Sequence, residues 1–265
     1  MGDDVYETNR QAVRELVWDR LRKVALPDSR FDLNFDEFIP DFVGSEQATE
    51  RVTSLEEYRR SRVIFVTPDN CLTSLRARCV RDNKTLVVST YGITRGFVLL
   101  RREDVSPGQE LYAAWLDGLE HFGRPIKLRD LREIGDLNLL VTGASAVNTE
   151  GLRFGKGHGY FDVEVGIFTS IGTMDENTPI IAVVHDCQVV DMPMEPGPTD
   201  TVVDRIITPN RDIQTRGNLP RPGGIRWDLL PAEMLATIPP LQELRGSWGR
   251  QESAASTWGA RRAQR

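Results

Sequence analysis

The sequence predicts a three-layer α/β/α fold with a mainly parallel sheet. The first observation is a set of short runs that are apolar on both faces: V-I-F-V (63–66), T-L-V-V-S (85–89), L-N-L-L-V (137–141) and P-I-I-A-V-V (179–184). Strands covered on both sides read this way. The second is that longer segments with helical spacing lie between them, and alternating strands and helices build a parallel sheet. The third is a glycine-rich loop, G-L-R-F-G-K-G-H-G-Y-F-D (151–162), placed shortly after the strand 137–141. Ligands in such folds sit beyond the carboxyl ends of the strands.

Taken in order, Thr8 and Gln11 match a capping box for a first helix. Val13, Val17 and Leu21 form its apolar stripe, and Pro27 ends the segment. Arg10 and Arg14 lie four apart and share one face. They oppose the macrodipole there, so they read either as a solvated basic face or as ligands for an anion. Residues 28–50 read as a loop-rich connection, with a short helix from Ser54 to Tyr58. Strand 63–66 leads through T-P-D-N to a helix over 72–81 and strand 85–89. F-V-L-L (97–100) reads as a shorter or edge element, and 111–122 as one helix. A helix follows Asp162, a strand covers 179–184, and V-V-D-R-I-I-T-P (202–209) is a late short strand. A turn with Pro220, Pro222, Gly223 and Gly224 precedes a short helix at 231–235. The expected organisation is a single α/β domain over 1–245. A disordered tail is expected over 246–265, where four arginines meet one glutamate in a Ser/Ala/Gln-rich run.

Composition narrows the function. The 265 residues carry 33 basic and 39 acidic side chains, a net charge of −6. That balance argues against a nucleic-acid partner, which requires a basic face. No apolar run approaches the length of a membrane span, and the acidic start is unlike a secretory signal, so a cytoplasmic protein is expected. Cys71, Cys79 and Cys187 are widely spaced and form no zinc pattern.

The loop at 151–162 carries the chemistry. Glycine allows positive φ and close backbone approach, and successive N–H groups in such a loop can face one anion. Arg153 and Lys156 add positive charge, and Asp162 is an oxygen ligand for a metal. The bland alternative is a glycine-rich surface turn. The spacing is neither a P-loop nor a dinucleotide fingerprint. His185 and Cys187 offer a conceivable nucleophile pair with no third group to orient it. His121 reads as a surface residue. Among acids, Asp162, Asp186, Asp191, Asp200 and Asp204 remain open as metal ligands.

R-F-G-K-G-H-G-Y-F-D (153–162) resembles the R-L-G-x-G-x-G-Y-Y-D signature of the 5-formyltetrahydrofolate cyclo-ligase family, also called methenyltetrahydrofolate synthetases. Arg10 and Arg14 are similar to its K-x-x-x-R, and T-D-T-V-V-D-R (199–205) to its late D-x-x-x-D. Residues 179–191 and 224–227 resemble a divergent branch, the methenyltetrahydrofolate synthetase domain-containing proteins. The likeness covers roughly 9–245.

The resemblance implies a cyclo-ligase-like α/β fold and an ATP- and magnesium-dependent conversion of 5-formyltetrahydrofolate to 5,10-methenyltetrahydrofolate. It implies ATP contacts from Arg10, Arg14, Arg153, Phe154, Gly155, Lys156, Gly157, His158, Gly159, Tyr160 and Phe161. Substrate contacts would come from Lys156, Gly157, His158, Gly159 and Tyr160, catalytic roles would fall to Lys156 and Arg153, and Asp162 and Asp200 would hold magnesium. The chain departs from the pattern at two places. Phe161 replaces a tyrosine. In the loop after strand 63–66, where typical members place a pterin-binding glutamate, it carries T-P-D-N-C-L-T, with Cys71 near that position and Asp69 the nearest acid. A divergent enzyme with another substrate, or a nucleotide- or folate-binding module without turnover, is therefore kept as an alternative.

Overall fold

The computed structural model describes residues 2–217 and 219–246. The chain opens with α1 (Gly2–Leu21), then a two-stranded ribbon of β1 (Ala25–Leu26) and β2 (Asp41–Phe42), then α2 (Ser45–Ser54) and α3 (Glu56–Arg60). The next strands are β3 (Val63–Val66), β4 (Thr85–Ser89), β5 (Phe97–Leu100) and β6 (Arg124–Ile126). Helix α4 (Thr73–Arg81) joins β3 to β4, and α5 (Glu110–Ala114) and α6 (Leu116–Phe122) join β5 to β6. After α7 (Leu128–Ile134) come β7 (Leu139–Thr142), β8 (Ala146–Asn148), β9 (Arg153–Phe154) and α8 (Tyr160–Ile171). Then follow β10 (Ile180–Val183), β11 (Val189–Val190), β12 (Arg205–Ile207), β13 (Asp212–Gln214) and α9 (Ala232–Thr237).

The main sheet has the order β13-β12-β10-β7-β3-β4-β5-β6, and β8, β9 and β11 form a small sheet. Strands β12, β10, β7, β3 and β4 run parallel. The edge strands β13, β5 and β6 join through antiparallel pairs. The period of two along each central strand divides the interior into two cores. Val63 and Phe65 of β3 face α7 and α8. Ile64 and Val66 face α2 and α4. The expected three layers follow from that division, and the parallel core accounts for the unbroken apolar runs. Phe65 packs against Phe168 of α8 with ring centroids 4.8 Å apart. Burying such a ring is worth roughly 1.5–3 kcal/mol.

Several elements differ from the sequence reading. Helix α1 begins at Gly2, ahead of the expected cap at Thr8. Residues 45–50 are helical rather than loop, because α2 buries Ser45, Ala48, Thr49 and Val52 instead of an aliphatic stripe. The helix expected over 111–122 is two helices, broken at Trp115, whose backbone is extended (φ −73°, ψ 161°). The break lets α6 pack on the preceding turn: a Cβ on Gly118 would lie 1.7 Å from the Tyr112 carbonyl oxygen. The tail reading falls on residues outside the described ones beyond Gly246.

Chain order reverses at the centre of the sheet. From β3 it steps one way to β4, then returns to β7 and proceeds the other way to β10 and β12. Loops leaving β3 and β7 therefore part at their carboxyl ends and leave a crevice. The β3 loop is held by Arg76, which is fully buried. Its guanidinium donates to the carbonyl oxygens of Thr67 at 2.7 Å, Asp69 at 2.8 Å and Ala114 at 2.9 Å. Replacing it with Met leaves three carbonyls without donors in a dry site. Arg76→Met is expected to lose on the order of 3 kcal/mol of stability, read as a lower urea midpoint.

Candidate functional site

A cavity of about 350 Å³ occupies this crevice, within the usual size of small-molecule sites. It is lined by the ends of β3, β4 and β7, by residues 153–164, and by Arg10 and Arg14 of α1. The glycine loop forms one wall because its two ends are fixed. Strand β9 pairs antiparallel with β8, Arg153 opposite Val147 and Phe154 opposite Ala146. At the other end Gly159, with φ 69°, caps α8, and Gly157 has φ 117°. Both angles favour glycine. The backbone thus swings from a strand into the amino end of a twelve-residue helix. A helix start presents unpaired N–H groups and partial positive charge.

Four cations converge on this loop. The guanidinium of Arg14 lies against Gly157, where an added Cβ would be 3.6 Å from Nη1 and Nη2, and Nη1 donates to Gln11 Oε1 at 3.1 Å. Arg10 pairs with Asp200 and stands 4.7 Å above the Phe154 ring. Arg153 stands 4.7 Å above the Phe161 ring and 3.9 Å from Asp162 Oδ1. Lys156 Nζ donates to the Glu37 carbonyl oxygen at 2.8 Å and lies 4.8 Å over the Tyr91 ring. Burial pushes the lysine pKa down, opposed by Asp69, Glu37 and Glu164. His158 stacks on Tyr160 at 5.4 Å; burial and the nearby Lys156 push its pKa down.

Two carboxylates complete this end. Asp162 Oδ1 accepts from the Thr201 amide at 2.8 Å, and Asp200 Oδ2 accepts from the Gly197 amide at 2.7 Å. Burial raises the pKa of Asp162; Arg153 works against that and Asp200 adds to it. The remaining acids are elsewhere. Asp186 is engaged by Thr208, Asn210 and Arg211. Asp204 receives the Ile180 amide and pairs with Arg221. Asp191 is exposed. His185 accepts the Cys187 amide on Nδ1 at 3.1 Å, and burial raises the Cys187 thiol pKa, the opposite of an activated nucleophile. His121 sits on the exposed face of α6.

Every residue singled out in the glycine loop, together with Arg10, Arg14, Asp162 and Asp200, lines the one cavity. The same cavity reaches the loop bearing Asp69 and Cys71, which the sequence singled out, and Glu164, which sequence reasoning missed. Asp69 lines the cavity, its Oδ2 fixed by the Thr67 hydroxyl at 2.5 Å and the Gly143 amide at 2.9 Å. Cys71 turns inward, 1% exposed, and burial pushes its thiol pKa well up. Glu164 of α8 is 2% exposed and also lines the cavity. Its pKa is pushed up to about 8, chiefly by burial; Ser89 opposes the rise, while Asp69 and Asp162 add to it. A signal for it was present. Phe161, Glu164, Val165 and Phe168 follow helical spacing, so an acid sits on the buried stripe of α8.

The model of the 5-formyltetrahydrofolate cyclo-ligase family matches residues 6–209. Methenyltetrahydrofolate synthase domain-containing protein from Homo sapiens is 36% identical over 242 residues, covering 89% of this chain and 61% of that protein. The Bos taurus protein of that name is 35% identical over 244 residues, covering 89% and 62%. The chain thus spans about three fifths of the length of these curated relatives. Among solved structures, the 5,10-methenyltetrahydrofolate synthetase of Aquifex aeolicus aligns with 18% identity and a TM-score of 0.46, covering 83% of this chain and 99% of that one. The synthetase of Mycoplasma pneumoniae aligns with 12% identity and a TM-score of 0.44, covering 75% and 97%.

The raised pKa of Glu164 has a consequence for stability. The unfolded chain releases this proton near the ordinary value of 4.5, whereas the folded chain keeps it to about 8. Across that window the folded state binds more protons, so this group's contribution to stability falls as pH rises. Glu164→Gln is expected to gain on the order of 3 kcal/mol over wild type between about pH 5 and pH 8. Urea unfolding of both proteins across this range checks it; a pH-independent difference would contradict the assignment.

Proposed function

The chain belongs to the 5-formyltetrahydrofolate cyclo-ligase family, and from that membership we propose that it uses ATP and magnesium to convert 5-formyltetrahydrofolate to 5,10-methenyltetrahydrofolate. The observation that supports this most is the convergence of Arg10, Arg14, Arg153 and Lys156 on a glycine loop at the sheet's switch point. Phosphoryl transfer depends on positioning and on neutralising charge. The loop amides, Arg10 and Arg14 hold the phosphates of ATP. Arg153 and Lys156 face the γ-phosphoryl group as it passes to the formyl oxygen. N10 then attacks the activated carbon and gives up its proton, and phosphate departs with that oxygen as the C–O bond breaks. The partly desolvated Lys156 interacts strongly with the transferring group because little water screens it.

Asp162 and Asp200 fit magnesium. They are hard oxygen donors on the cavity wall next to the phosphate-binding cations, and no group of three or more His, Cys, Asp or Glu side chains suited to a metal occurs among the described residues. Magnesium bound with nucleotide takes one or two carboxylates and completes its shell with phosphate and water. When bound, the ion neutralises charge on the phosphates. Arg10 and Arg153 pair with these carboxylates; Asp162 and Asp200 would hold the ion and supply charge neutralisation beside the phosphates, and the two guanidiniums would then be available to phosphate oxygens.

The loop bearing Asp69 and Cys71 favours a second reading, the same ATP chemistry on a substrate other than folate. Absorbance of the methenyl product separates the two. Wild type with magnesium-ATP and 5-formyltetrahydrofolate is expected to form product, and excess chelator to stop it. Lys156→Ala is expected to lower kcat/KM by about 10²–10³-fold. Magnesium-ATP binding without product would overturn the folate assignment and leave the second reading.

A further inference from the structure

One wall of the cavity comes from late in the chain. Pro222, Ile225, Leu229, Leu230, Pro231 and Met234 line it, and the family model stops short of them at residue 209. The segment is seated at both ends. Arg221 Nη1 donates to the carbonyl oxygens of Thr178 at 2.7 Å and Glu176 at 3.0 Å, and its guanidinium pairs with Asp204. The Ile225 amide donates to Ser170 Oγ at 3.1 Å. Ile225 fits over α8 because Gly166 has no side chain: a Cβ there would lie 2.7 Å from Ile225 Cδ1. Beyond α9, Ile238, Leu241 and Leu244 are buried in the core. Between these anchors the apolar side chains stay partly uncovered. Leu229 is 45% exposed, and Leu230 and Met234 are half-buried. Apolar surface held open inside a cavity gains when a ligand covers it.

We propose that residues 222–234 form a specificity wall that takes the uncharged, apolar part of the molecule that accepts the phosphoryl group. The wall adjoins the Lys156 side of the site. Leu230, Met234 and Tyr160 pack against one core cluster, and Lys156 Nζ stands 5.9 Å over the Tyr160 ring. Burial raises the Tyr160 pKa, and the charge of Glu233 on α9 adds to the rise. Arg10 and Arg14 reach the glycine loop from α1, at Phe154 and Gly157. The inference rests on the ATP-site reading: with the phosphates held by α1 and the loop, the wall faces what lies beyond Lys156. Its charges disfavour an anion. Arg226 is engaged by Asp228 at 2.8 and 3.0 Å, and Glu233 adds a negative charge.

Binding to the full chain tests it with three probes. Magnesium-ATP and 5-formyltetrahydrofolate are titrated by calorimetry. N-phenyl-1-naphthylamine, an uncharged apolar fluorophore, is followed by emission with magnesium-ATP saturating. The double variant Leu229→Asn, Met234→Gln keeps side-chain size and makes the wall polar. It is expected to bind the fluorophore and 5-formyltetrahydrofolate about tenfold more weakly, from apolar burial lost on two side chains, with magnesium-ATP affinity unchanged. Should the double variant melt lower than wild type, Leu229→Asn alone decides, with about a threefold loss for both ligands. Equal affinity of wild type and variant for either ligand overturns the proposal, as does a fluorophore that wild type fails to bind. Weaker magnesium-ATP binding at an unchanged melting temperature also overturns it and gives the wall to the nucleotide base. Wall-dependent fluorophore binding, with neither binding nor turnover of 5-formyltetrahydrofolate, keeps the proposal and removes the folate reaction instead.

Discussion

Burial of the parallel strands on both faces is the constraint on which the molecule depends. β3, β7 and β10 are dry on each side, so their side chains are committed to packing and carry no chemistry. Each parallel neighbour must be reached by a crossover, and the crossovers supply the covering helices. Polar function is then left to the strand ends. The reversal of chain order between β3 and β7 decides which ends are useful, because only there do two successive loops diverge. The cavity therefore lies where the fold leaves space.

Within that space the charges are arranged in opposing pairs. Arg10 holds Asp200, and Arg153 stands near Asp162. Each pair joins a basic group from one element to an acid from another, so the walls are set before any ligand enters. A buried charge without a partner costs far more than a paired one. Preassembly also lowers the entropy lost on binding. Lys156 is treated differently: its ammonium is lodged against the Glu37 carbonyl oxygen and the Tyr91 ring, contacts that leave its charge without a nearby neutralising carboxylate hydrogen bond among the described residues.

Much of this was legible in the sequence. The central strands are visible because two-sided burial leaves an unbroken apolar run, as at Val63–Val66. The glycine loop is visible because positive φ at Gly157 and Gly159 restricts residue type. Elements whose register comes from distant partners were harder to see. Helix α2 buries small and polar residues, and β13 is an edge strand of sequence D-I-Q that needs β12 to be recognised. Asp200 was one acid among five candidates until the chain brought it to Arg10. Glu164 was overlooked because attention fell on the loop, although helical spacing puts it on the buried face.

The pairing of Arg10 with Asp200 joins residues 190 positions apart, and Leu152 bridges to Val202 nearby. Contacts so distant in sequence close large loops and form late. During synthesis β3, β4 and α4 are able to associate from local sequence, while Arg10 waits for most of the chain to emerge. The part of the cavity that holds this pair is thus expected to be among the last to assemble. A nascent chain with its sheet begun has no such cavity, and whatever the cavity binds is a ligand only of the finished molecule. By mass action, a ligand of the cavity then stabilises that state alone.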